Sequence, residues 1–80
     1  MPRLPRVSSQ NAIKSLKRLG FYESRQTGSH VVLKKALDNG EIVCVMPLHR
    51  ELKNRELKIG TLSNVLRQAQ VTVDDFIDHL

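Results

Sequence analysis

Cysteine occurs once in the chain, at Cys44, and tryptophan does not occur at all. A single thiol excludes an intrachain disulfide, so packing alone has to hold the fold. The basic opening, Met1-Pro2-Arg3-Leu4-Pro5-Arg6, has no apolar leader behind it. A reducing, cytoplasmic setting is therefore expected. No run approaches the ~20 apolar residues that span a bilayer, so no membrane partner is expected. The aromatics are limited to Phe21, Tyr22 and Phe76, which leaves the core to Leu, Ile and Val. There is no internal repeat, no low-complexity tract and no phosphate-cradling P-loop, and no cofactor is expected.

The 80 residues form one domain, read as 1–80 with residues 1–7 as an extended basic arm. A chain of this size buries only about 60–65% of its unfolded surface. An enclosed pocket of several hundred Å³, roughly the usual small-molecule site, does not fit so small a core. The site is expected as an exposed groove or patch, which suits a polymeric substrate.

Charge is present, and it is unevenly placed. Residues 1–35 carry eight basic residues against Glu23 alone, a net +7, whereas residues 36–80 carry five basic and seven acidic residues, a net −2. A basic half on a small domain attracts a polyanion.

Ser8 or Ser9 can cap a first helix, in which Ala12, Ile13, Leu16 and Leu19 form the buried stripe and Lys14, Lys17 and Arg18 face outward. Gly20 stops it. Phe21–Gln26 reads as a strand, Thr27-Gly28 as a turn, and Ser29–Lys35 as a second strand. Asp38-Asn39-Gly40 is a hairpin turn, because Asn and Gly tolerate positive φ. Glu41–Met46 is a third strand, apolar at consecutive positions, so both of its faces are expected to be covered at least in part. Pro47–Lys58 reads as a long polar loop. Thr61 is the expected cap of a second helix built on Leu62, Val65, Leu66 and Ala69, and Val71 breaks that pattern. Thr72 and Asp75 resemble a capping box for a last helix docked by Phe76, Ile77 and Leu80. The fold class is α+β: an α-β-β-β-α order, with a three-stranded antiparallel sheet and helices on one face. This is a double-stranded-RNA-binding-like layout.

The sharpest chemical feature is Gly28-Ser29-His30, where a tight turn enters a strand. Glycine permits close backbone approach, serine donates to a phosphate oxygen, and histidine takes and gives protons near neutral pH. Strand alternation places His30, Val32 and Lys34 on one face and Ser29, Val31, Leu33 and Lys35 on the other. His30 with Lys34 would pair a proton acceptor with a phosphate-binding cation. The plain alternative is a strand-end histidine beside a turn glycine. His49 reads either as a second acid/base group or phosphate contact, or as a solvated loop histidine. His79 reads as surface. Cys44, His30 and His49 match no zinc spacing, so no metal site is expected, and Cys44 reads as a small core residue. A Ser-His-Asp triad has no nucleophile elbow to build on.

If His30 is a base, RNA is the natural substrate, because each phosphodiester carries its own nucleophile in the neighbouring 2′-hydroxyl. Deprotonating it, stabilising the phosphorane and protonating the leaving oxygen needs no metal.

Across residues 8–78 the chain resembles the HicA toxins of toxin–antitoxin pairs. The resemblance is carried by Leu16-Lys17-Arg18-Leu19-Gly20-Phe21, Gly28-Ser29-His30, Pro47 with His49, Gly60-Thr61-Leu62, Val65-Leu66-Arg67-Gln68-Ala69 and Val73-Asp74-Asp75-Phe76. The segment between His49 and Gly60 is longer than usual for that family, Ile59 stands where Pro is common, and Gln70 stands where a helix-ending Gly is frequent. The resemblance implies the double-stranded-RNA-binding-like fold, endonucleolytic cleavage of mRNA, His30 as the catalytic residue and a HicB-type antitoxin as partner. Gly28, Ser29, Lys34, Lys14, Lys17, Arg18 and His49 are the RNA-binding candidates. The alternative is a non-catalytic RNA-binding module of the same fold. A second rival is an adaptor whose basic face binds an acidic protein.

Overall fold

Ser8 opens the first helix. Its hydroxyl accepts the Asn11 amide at 3.2 Å, satisfying one of the donors that a helix start leaves free. In the computed structural model, which describes residues 3–48 and 57–80, this helix, α1, runs Ser9–Arg18. It buries Ala12, Ile13 and Leu16 and leaves Lys14, Lys17 and Arg18 outside, as the periodicity predicts. Before it, Leu4 and Val7 of the arm pack against the core.

Three strands follow: β1 (Tyr22–Thr27), β2 (His30–Leu37) and β3 (Gly40–Pro47). They form an antiparallel sheet in the order β1-β2-β3. The β2–β3 hairpin closes on Asp38 and Asn39 between the paired Leu37 and Gly40. The positive φ expected at Asn39 and Gly40 falls on Gly40 alone, at +148°.

The second helix, α2, runs Ile59–Ala69 and begins earlier than expected. Thr61 is not its cap. Lys58 holds that position without a side-chain bond, and the Leu62 amide reaches the Lys58 carbonyl at 3.0 Å. The reason lies just upstream: Leu57 is buried in the core and its amide donates to the Val7 carbonyl at 2.7 Å. That anchor brings the chain to the helix start two residues before Thr61. The helix ends at Gln70, in the left-handed region at φ 57°, ψ 39°. The last helix, α3 (Val73–Asp78), is capped by Thr72, whose hydroxyl accepts the Asp75 amide at 3.1 Å.

Helices α1 and α2 dock on the same face of the sheet. Val31, Leu33, Cys44 and Met46 point toward them and are buried with Phe21, Leu62, Val65, Leu66 and Phe76. Among the described residues no helix packs on the other, open face. The expected covering of both faces of β3 is therefore partial there: Val43 and Val45 are 42% and 37% exposed. The architecture is α-β-β-β-α, the layout of a double-stranded-RNA-binding-like domain.

Candidate functional site

The β1–β2 hairpin ends on the pair Thr27 and His30, with only Gly28 and Ser29 between them. A two-residue connection whose first central residue has positive φ matches the right-handed twist of the strands. Gly28 supplies this at φ +48°. A Cβ there would meet nothing within 4 Å, so the backbone conformation, not crowding, calls for glycine.

His30 stands exposed beside this tip. Its Nδ1 lies 3.1 Å from Ser29 Oγ. The contact orients the ring; where Nδ1–H donates to the Ser29 hydroxyl, the lone pair of the neutral ring is on Nε2. The Leu48 amide donates to the Ser29 carbonyl, and Ser9 Oγ donates to the Pro47 carbonyl at 2.9 Å. Pro47 is the cross-strand partner of His30. The hairpin tip, the end of β3 and the start of α1 are thereby tied together. His49 lies outside the described residues.

The structure separates the candidate cations into two groups. His30, Val32 and Lys34 share the open face, as alternation predicts, and Lys34 Nζ lies 3.4 Å from Glu41 Oε1. Lys14 and Lys17 sit on the opposite side. With Gln10, Gln26, Val31 and Leu48 they line an open groove of about 310 Å³ between α1 and the hairpin. Lys17 Nζ is 3.0 Å from Glu23 Oε2. Arg18 lines a second groove, of about 370 Å³, beside Val7 and Leu80, and its Nη1 donates to the His79 carbonyl at 2.9 Å. His79 is half-buried, and its Nδ1–H donates to the Asp75 carbonyl at 2.7 Å, so it closes the end of α3. Lys35 turns inward, its ammonium 5.9 Å from the centre of the Phe21 ring.

Cys44 pairs with Leu33 on the helix side, whereas His30 is on the open side, so the two do not share a site. Burial pushes the Cys44 thiol up to about 11, which keeps it protonated and unreactive at neutral pH. Among the described residues no three of His, Cys, Asp and Glu come together in a way that would hold a metal ion. Among the same residues no helix is long and apolar enough to cross a membrane.

One residue on the open face was not singled out by sequence reasoning. In β1, Glu23 pairs with Leu33 and Arg25 with Val32, so Ser24 is an extra residue and forms a β-bulge. Simple alternation from Tyr22 would turn Arg25 toward the helices. The bulge resets the register and puts Arg25 on the His30 face.

Residues 9–71 match the family model described as HicA toxin of bacterial toxin-antitoxin. Among curated proteins none matches the chain.

Proposed function

Because the chain belongs to the HicA family and is the toxin of a toxin–antitoxin pair, we propose that it is an endoribonuclease that cleaves mRNA with His30 in acid/base catalysis. The observation that carries this reading is the tip of the β1–β2 hairpin. There an exposed imidazole is oriented by its neighbour's hydroxyl, 3.1 Å away, on a turn short enough to hold both. A solvent-facing histidine fits a long substrate that lies across the surface.

In the proposed reaction His30 takes the proton of a 2′-hydroxyl. The O2′ then attacks the adjacent phosphorus, and the bond to the 5′ oxygen breaks as that oxygen takes up a proton from the open, wet site. The products are a 2′,3′-cyclic phosphate and a 5′-hydroxyl. The substrate supplies its own nucleophile, so the reaction needs no metal. Gly28 lets the RNA backbone approach and Ser29 orients the ring, while Lys34, on the same face but about 13 Å along the strand, is a cation for a phosphate further along the RNA. The proposed partner is a HicB-type antitoxin that silences the toxin by covering His30. The proposed place of action is the cytoplasm, where mRNA is met.

The test is cleavage of a defined single-stranded RNA in excess EDTA, wild type beside His30→Ala. Cleavage by the wild type alone, ending in a cyclic phosphate, supports the reading. Binding by both proteins with cleavage by neither overturns it and leaves a non-catalytic RNA-binding module.

A further inference from the structure

We infer that single-stranded RNA lies across the open face of the sheet, held by Arg25 through a phosphate and by Tyr22 through a stacked base, and not in the groove beside Lys14 and Lys17. This rests on the proposed RNA substrate, and it names which side of the domain receives that substrate.

The register carries the argument. On the open face Thr27 stands opposite His30, Arg25 opposite Val32, and Tyr22 opposite Lys34. These three rows run from the hairpin tip inward, and from His30 to Lys34 the distance along β2 is about 13 Å at ~3.3 Å per residue. Arg25 is in the row next to His30, within diagonal reach across the strands. It is exposed, and among the described residues no acidic side chain pairs with it, in contrast to Lys17 and Lys34. It reaches this face only through the bulge at Ser24. Bulges at sheet edges often re-aim a side chain.

Tyr22 is 49% exposed beside Lys34, and Val43 and Val45, also partly exposed, lie on the same face two strands away. An exposed ring beside a cation is a platform for a base, and stacking accepts any base. Among the described residues the face carries Arg25, Lys34 and His30 against the single acid Glu41. Phosphate contacts beside apolar stacking surface are what unpaired RNA uses, since its bases are free to splay onto a protein. The groove on the helix side offers Lys14 and Lys17, but Lys17 is engaged by Glu23, and among the described residues no aromatic side chain lines it. It also lies across the sheet from His30.

The experiment measures binding of a labelled single-stranded RNA to the full chain carrying His30→Ala, so affinity is read without cleavage. Arg25→Ala is expected to weaken binding roughly tenfold and to lower the log–log salt slope by ~0.7, while Arg25→Lys keeps the slope. Tyr22→Ala is expected to weaken binding roughly five- to a hundredfold with the slope unchanged, and Tyr22→Phe to bind like the parent. Lys14→Ala with Lys17→Ala is expected to cost less than Arg25→Ala alone. If the paired lysine variant carries the loss and Arg25→Ala is silent, the RNA runs on the helix side and the inference fails. If Arg25→Ala and Tyr22→Ala leave RNA binding intact but abolish binding of the antitoxin, the open face is a protein interface and the inference also fails. The result is separable from the proposed catalysis: a chain that binds RNA through Arg25 and Tyr22 yet never cleaves it would refute the nuclease and leave this inference standing.

Discussion

Ser15 Oγ donates to the Phe76 carbonyl oxygen at 2.8 Å, in the buried interior and across 61 residues of chain. This bond ties α1 to α3, where the two helices meet over the core. Ser15 and Phe76 are both fully buried, so the carbonyl has no water to turn to if the hydroxyl is removed. Ser15→Ala is expected to destabilise by about 1–3 kcal/mol. Denaturant unfolding reads this as a lower midpoint at unchanged slope. A loss below about 0.5 kcal/mol would mean that α3 can shift to rehydrate the carbonyl.

Gln70 closes α2 with φ 57°, a conformation that crowds any side chain with a Cβ. Gln70→Gly removes that crowding, and the gain outweighs the added freedom of the unfolded chain. The variant is expected to be more stable by about 0.5–1 kcal/mol, a rise of roughly 2–8 °C in melting temperature for a domain of this size. Thermal unfolding by circular dichroism checks it, and a lower melting temperature would contradict the account.

Ser29 holds the His30 ring through one exposed hydrogen bond. Losing a bond of about 1 kcal/mol in the transition state corresponds to roughly a fivefold drop in kcat/KM for RNA cleavage by Ser29→Ala. Binding to the His30→Ala background is expected to change much less. Folding stability of His30→Ala is expected to stay within about 0.5 kcal/mol of wild type, because the imidazole is exposed.

Cys44 links stability to alkaline pH. Its thiol has an ordinary value of 9.0 and is pushed up to about 11 in the fold by burial. Between these values the unfolded chain gives up the proton and the folded chain keeps it. The stabilisation is therefore fully present below pH 9 and is lost as pH rises toward about 11. The loss is expected to reach about 2–3 kcal/mol at its end. Cys44→Ala removes this contribution, so its stability is expected to fall less steeply over the same window. Equal slopes for the two proteins would show that the thiol ionises as freely inside as outside. At pH 8, alkylation of the folded protein is expected to be limited by unfolding.

Much of this protein was legible in short stretches of sequence. Ser8, Thr72 and the Gly28-Ser29 turn act through backbone groups no more than three residues away, so their neighbours in the chain suffice to identify them. The stripes of α1 and α2, and the alternation that sets His30 apart from Val31 and Leu33, follow from periods of 3.6 and 2 that residue type alone reveals. The helix order and the hairpins follow from the same local rules. The family motifs gather in these stretches too.

What the tertiary structure decided is what depends on distant partners. The third strand reads as apolar on both sides, yet both helices choose the face of Cys44 and Met46 and leave Val43 and Val45 open. The α2 start moves to Lys58 because Leu57 is anchored on Val7, 50 residues earlier in the chain. The bulge at Ser24 is set by how β1 must pair with β2, and one extra residue there moves Arg25 from one face to the other. A sequence carries the period of a strand, but its register and the face that is covered are settled only when the other strands and helices are in place.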